Sequence, residues 1–430
     1  MTIPSVPVPA GLETEFFALG SGVLSYLPEI LKRNFPGCRP WIIADENTWR
    51  AAGKKAQELL ISANLNPYDP YIFPAEPRLH PEYSYCEMLA QLMPADAVPV
   101  AVGSGVINDL TKCASGLKKI RYCCVPTACS VDGYTASGSA LVVNGSKKTV
   151  KCPAPETLCA DTDILATAPA DMLASGFADL LTKIPAGVDW IIADYAGAEP
   201  IRQDVWNLIQ GHIYEWTADQ NDMLNIFNGL AATGYSMQMY GESRPASGAE
   251  HLFSHVWEME GLTLDGEDVS HGFKVGVGLL ASTLLMEFVL AHDAAEIRAM
   301  MRPGLSTSER ESEIDQLLKL GCYGPEPKKT ALNKHLTGSQ LLEQREKLLA
   351  NWDSLRARMR ERLIPYQEMY RKLDAANCPV TPAAIGLTPE QFRHGIRTAQ
   401  LIRNRYTVLD LLYELGVLDD AIDSLDVMIR

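Results

Sequence analysis

The chain has 430 residues, 47% of them hydrophobic and 21% charged, with a formal net charge of -15 at pH 7. That is a globular balance with enough material for more than one core. The acidic excess excludes a general nucleic-acid binder or anionic-membrane binder, because phosphate affinity rests on Lys and Arg. Ten cysteines with no C-x-x-C pair read as reduced thiols of a cytoplasmic protein. Met1 to Leu12 shows no basic start followed by an apolar stretch, so no secretory signal is expected. No apolar run is read as approaching the ~20 residues of a membrane span, so no membrane insertion is expected.

In chain order, Trp41 to Asp45 is a short apolar run ending in an acid, and Asn47 to Ala63 has helical texture. Tyr71 to Phe73, Ala97 to Val102 and Arg121 to Val125 are further apolar runs separated by helical segments. Strands buried on both faces of a parallel sheet have this pattern. After Pro169 the texture turns helical, with Asp204 to Trp216, Asp222 to Tyr240, Ala249 to Met259 and Gly272 to Ala291 as the long segments. The remainder, from Ser306 to Ile429, is also helix-like, with breaks near 321–327 and 379–386. The expected organisation is an α/β, Rossmann-like domain over residues 1–167 and an all-helical domain over 168–430.

Gly103-Ser104-Gly105-Val106-Ile107 joins a strand to a helix. Glycines there let the backbone approach an anion, and the helix start offers free N–H groups. Asn108 stands where a third glycine of the full fingerprint would be, so the turn alone is equally a structural turn. Asp45, at a strand end, suits the ribose of a dinucleotide and equally suits a helix N-cap.

His251 and His255 are four apart and share a helix face. His271 opens the next helical segment, and Asp179 lies in an apolar stretch where a buried acid needs a partner or a metal. Each is individually explained by ordinary packing. Together they suggest one carboxylate and two imidazoles around a Zn²⁺, Ni²⁺ or Fe²⁺ ion.

Read in order, these segments resemble the sn-glycerol-1-phosphate dehydrogenase family of the iron-containing alcohol dehydrogenase and dehydroquinate synthase superfamily. The stretches that carry the resemblance are 44–48, 103–112, 126–134, 176–183, 243–251 and 271–278. The resemblance implies a dehydroquinate synthase-like fold and a nicotinamide cofactor, NAD or NADP, at Asp45, Gly103 to Ile107, Thr127 and Ser130. It implies one divalent metal, with Zn²⁺ first, on Asp179, His251 and His271. It implies substrate contacts from Asp132, Asp179 and His255, and a homodimer. Val106, Cys129, Ala136 and Phe273 depart from the family's usual residues, which touches cofactor preference and substrate more than redox chemistry.

The expected reaction is hydride transfer between dihydroxyacetone phosphate and sn-glycerol-1-phosphate. His255 would orient substrate or relay a proton, since a histidine titrates near working pH. Asp132 is the other candidate catalytic residue. Arg244, Lys274 and Lys183 are the candidate phosphate partners. Glycerol or polyol oxidation, a phosphate-eliminating cyclase of the dehydroquinate synthase kind, and a catalytically silent scaffold are the competing readings.

Overall fold

The computed structural model describes residues 3–144 and 146–429. The chain divides into two compact units, 1–180 with 214–242, and 181–213 with 243–430.

The first unit is built on a six-stranded, all-parallel sheet. Its strands are β1 (Phe16–Gly20), β2 (Arg39–Asp45), β3 (Tyr71–Phe73), β4 (Ala97–Gly103), β5 (Cys123–Pro126) and β8 (Thr157–Asp161), in the order β1-β8-β5-β4-β2-β3. An antiparallel hairpin, β6 (Ser139–Val143) with β7 (Ser146–Val150), is inserted before β8. The apolar runs at 41–45, 71–73 and 97–102 are strands, as expected. The fourth run starts later, at Cys123.

Every residue of β4 and β5 is buried, and Ile42, Val100, Cys123 and Cys159 meet in one core cluster. The crossover helices are α1 (Leu27–Asn34), α2 (Lys54–Ser62), α3 (Tyr83–Leu92) and α4 (Gly105–Lys118). The segment read as one helix from 47 to 63 carries a wide, π-type turn at Trp49–Gly53 before α2 begins. The chain leaves β2 toward β3 on one side and leaves β4 toward β5 on the other. The carboxyl ends of β2 and β4 therefore flank the topological switch of the sheet, where open α/β sheets leave a crevice.

Helix α5 (Ala170–Leu181) ends one residue past the division between the units, and α6 (Lys183–Ala196) follows after a break at Thr182. The break means that Asp179 and Lys183 do not share one uninterrupted helix face. The chain returns to the first unit with α7 (Met223–Tyr240). Phe227 of α7 packs on Phe17 and Tyr134, with ring centroids 6.0 and 5.4 Å apart, and Thr135 Oγ1 donates to the Ala231 carbonyl (2.7 Å).

The second unit is helical apart from a two-residue hairpin at Thr263–Leu264 and Glu267–Asp268. Its central pair is α8 (Ala249–Met259) and α9 (His271–Ala291). One expectation is corrected here. Helix α9 is long and apolar enough by length and composition to cross a bilayer, but 83% of its apolar window is buried in the protein. The run was missed because Lys274 and Glu287 interrupt the apolar pattern. Further helices of this unit are α10 (Thr307–Leu317), α11 (Glu326–Lys334), α12 (Gly338–Ala350), α13 (Pro389–Ala399), which packs on α8, and α14 (Val408–Glu414), which packs on α9.

Candidate functional site

At the switch of the parallel sheet, Gly103 ends β4 and Ser104 precedes the first turn of α4. A Cβ on Gly103 would stand 2.5 Å from Ile107 Cβ, so glycine is required for the helix to start this close to the strand. Gly103 also receives Thr127 N–H on its carbonyl (3.1 Å), which ties the end of β4 to the end of β5. Ser104, Gly105 and Val106 are half-buried at a helix N-terminus, with no side-chain cap consuming the free N–H groups. That is an anion-accepting arrangement.

Asn108 is structural. It is buried, accepts from Tyr122 Oη (3.0 Å) and donates to the Tyr134 carbonyl (3.3 Å). Asp45 caps the helical turn after β2, its Oδ1 accepting from Asn47 and Thr48 N–H at 2.8 Å each. Thr127 and Ser130 are both buried, in the segment that follows β5.

Asp179 is fully buried on the last turn of α5, and its Oδ2 accepts the Asp132 N–H at 3.0 Å. His251 lies in the first turn of α8, and His271 is the first residue of α9. Their rings are 5.2 Å apart between centroids. Within the second unit, facing ligand atoms of His251 and His271 lie within 4.8 Å of each other. Two features of the second unit allow the imidazoles to meet. Gly278 of α9 sits against the Glu250 carbonyl, where a Cβ would be 2.6 Å away, so the helices cross at backbone contact. The start of α8 is held by Asp189, whose Oδ2 accepts Ala249 N–H (2.7 Å), and by Glu250, whose Oε1 accepts Gly248 N–H (2.6 Å).

Glu250 Oε1 also lies 2.9 Å from His251 Nδ1. A buried carboxylate there holds the proton on Nδ1 and leaves Nε2 as the ligand atom. One carboxylate oxygen and two imidazole nitrogens suit Zn²⁺, Ni²⁺ or Fe²⁺. The donor set therefore fits a divalent ion of this class.

His255 lies one turn beyond His251 and is half-buried. Burial lowers its pKa to about 4, against the opposing pull of Glu258, and Arg403 adds to the lowering. Its imidazole is thus neutral at working pH, which departs from the titration near neutrality expected for it. Arg403 Nη2 lies 3.4 Å from His255 Nε2, and Glu258 faces Nδ1 at 3.8 Å.

Of the cations read from the sequence, Lys274 is buried and paired with Glu258 (2.8 Å). Arg244 is buried, pairs with Glu199 (2.8 Å) and donates to the Asp189 carbonyl (2.9 Å). That is a packing position. Lys183 is fully buried, with Nζ on Thr182 Oγ1 (3.2 Å).

Sequence reasoning missed Glu250, Asp189, Glu258 and Arg403. Glu250 had a local signal, an acid beside a candidate ligand. Asp189 had a weaker one, an acid inside an apolar helix. Arg403 had none, since its partner lies 148 positions away.

The profile of the iron-containing alcohol dehydrogenase family matches residues 18–169. A glycerol-1-phosphate dehydrogenase (NAD(P)+) of Geobacillus thermodenitrificans is 35% identical over 250 residues, 55% of this chain and 61% of that protein's own length. The enzyme of the same name from Halalkalibacterium halodurans is 33% identical, over 64% of this chain and 71% of its own length. The one from Geobacillus stearothermophilus is 29% identical over 87% and 86%. Among solved structures, glycerol dehydrogenase of Schizosaccharomyces pombe superposes with a TM-score of 0.58 at 13% identity, covering 100% of this chain and 92% of that one, a likeness of fold alone. The chain belongs to the glycerol-1-phosphate dehydrogenase family of iron-containing alcohol dehydrogenases.

Proposed function

We propose that this chain is a metal-dependent, NAD(P)-linked oxidoreductase of the cytoplasm that interconverts dihydroxyacetone phosphate and sn-glycerol-1-phosphate. The observation that carries the reading is the pair of imidazoles at the adjoining starts of α8 and α9, His251 and His271, with Glu250 on Nδ1 of the first; Asp179 is proposed as the third ligand. The names of the three relatives, glycerol-1-phosphate dehydrogenase (NAD(P)+), support the substrate and the cofactor.

In this reading the first unit binds the dinucleotide at the sheet switch. The Ser104 to Ile107 backbone would hold the pyrophosphate, Asp45 the adenosine ribose, and Thr127 and Ser130 the nicotinamide. In the second unit, His255, Lys274 and Arg403 are the substrate-binding side chains. A divalent ion, Zn²⁺ first, on Asp179, His251 and His271 would supply Lewis-acid polarisation of the ketone oxygen. His255, neutral and oriented by Glu258 and Arg403, directs a substrate hydroxyl, and Asp132 helps place the substrate beside Asp179.

Arg403 and Lys274 supply positive charge to the substrate phosphate. Arg403 replaces Arg244, whose guanidinium is committed to Glu199.

The test is an absorbance assay of NADH and NADPH oxidation with dihydroxyacetone phosphate, dihydroxyacetone and glyceraldehyde phosphate. Turnover of the first well above the second supports the proposal. Equal turnover of both points to a general polyol dehydrogenase. Phosphate release without net nicotinamide change would replace the proposal with the cyclase reading.

A further inference from the structure

Among the C-terminal helices of the second unit lies a cavity of about 170 Å³ whose lining includes none of the residues assigned above to metal, cofactor or substrate. Its wall is unusually rich in charge, with Arg302, Arg310, Arg345, Arg397 and Lys334 among the lining side chains. Four of these cations are matched. Arg310 pairs with Glu313 (2.5 Å), Lys334 with Asp410 (2.8 Å), Arg397 with Asp419 (2.8 Å) and Arg302 with Asp420 (2.8 Å).

Arg345 differs. Only 6% of it is exposed, and it is held by main-chain carbonyls: Nε donates to Glu414 O (2.6 Å) and Nη2 to Arg302 O (2.9 Å). No carboxylate pairs with it among the described residues. The carboxylate of Glu414 is engaged elsewhere, accepting from Tyr406 Oη (2.6 Å) and Gln344 Nε2 (3.2 Å). Burial raises the Glu414 pKa to about 7, which weakens it further as a counter-ion.

A guanidinium taken out of water without a counter-anion is costly, and its natural complement is an anion that enters with it. Arg345 is clamped in place by two carbonyls, so its fork is oriented before any ligand arrives. Beside it, Leu336 and Leu341 offer apolar wall.

We propose that this cavity is a second ligand site, for a small organic anion whose carboxylate or phosphate group pairs with Arg345 and whose short carbon body lies on Leu336 and Leu341. The experiment is amide hydrogen exchange on the full chain with sodium butyrate or inorganic phosphate as probe, against sodium chloride at matched ionic strength. The two anions separate a carboxylate from a phosphate preference.

The expected result is saturable protection of residues 302–305, 334–341 and 414–418 by at least one probe in the millimolar range. Arg345→Gln should weaken that protection about tenfold or more. Leu336→Trp, at a half-buried wall position, should abolish it with Arg345 intact, and this variant decides the matter if Arg345→Gln does not fold. Protection by neither anion beyond sodium chloride overturns the proposal. So does protection that survives Leu336→Trp, which would place the anion outside the cavity.

Discussion

Glu250 and His251 are adjacent in the chain, and their side chains are bonded to each other, Oε1 to Nδ1 at 2.9 Å, at the first turn of α8. The glutamate is fully buried and its Oε1 also receives the Gly248 N–H. It therefore both closes the helix start and sets the imidazole tautomer. Glu250→Gln preserves the shape and removes the charge. The expected outcome is a 10- to 100-fold loss of metal affinity, on the order of what outer partners of metal ligands contribute, with the helical circular dichroism retained. A competitive chelator titration measures it.

Removing a ligand should be more severe. His251→Ala should lose both bound metal and turnover. Dialysis of the unaltered protein against a chelator should abolish activity, and added Zn²⁺, Ni²⁺ or Fe²⁺ should restore it. Metal analysis beside the nicotinamide assay checks both, and full activity in a verified metal-free preparation would refute the metal-dependent reading.

Arg403→Ala should raise KM for dihydroxyacetone phosphate at least about tenfold, the scale of a lost charge-assisted hydrogen bond. It should leave the kinetics of unphosphorylated dihydroxyacetone nearly unchanged. Arg244→Ala should instead lower stability and affect both substrates alike, since its guanidinium holds Glu199 and the Asp189 carbonyl. Steady-state kinetics on the two ketones separates these roles.

Glu414 gives a pH dependence of stability with a definite sign. Burial raises its pKa in the folded chain from the ordinary 4.5 to about 7. Between those values the folded state holds a proton that the unfolded state has released. Stability therefore falls as pH rises from about 4.5 to 7 and stays reduced above that. Glu414→Gln keeps an oxygen for Tyr406 and Gln344 and should remove this slope, stabilising the protein at pH 8 by about 1–3 kcal/mol. Denaturant melts at pH 5 and pH 8 test it. An equal effect of the substitution at both values would show that Glu414 titrates normally.

Gly278→Val should force α8 and α9 apart, because even a Cβ would meet the Glu250 carbonyl at 2.6 Å. A small overpacking of this kind costs about 1–3 kcal/mol of stability. The larger expected effect is on metal affinity, read by chelator titration, because the two imidazoles belong to the two helices being separated.

The strands of the parallel sheet were legible where they were continuous apolar runs, as at Trp41 to Asp45 and Ala97 to Val102. β1 and β8 were not, since Phe16–Gly20 and Thr157–Asp161 are five-residue runs among polar neighbours, and their pairing closes a loop of more than a hundred residues. The expected boundary at 167 followed the change from strand to helix texture. Helical periodicity in α7 says that one face is buried, but not against which unit. The histidines were legible because i, i+4 spacing is local. The state of His255 was not, because a pKa depends on what is packed around the ring. Arg244 looked available for a ligand until Glu199, 45 positions earlier, was seen beside it.

The buried Asp189 reaches further than its place at one helix end suggests. One oxygen takes Ala249 N–H, and the other takes Val408 N–H, a residue 219 positions later, at 2.7 Å. During synthesis the footing of α8 is therefore incomplete until residue 408 has emerged from the ribosome. A chain stopped short of residue 408 would leave that carboxylate half-satisfied in the interior.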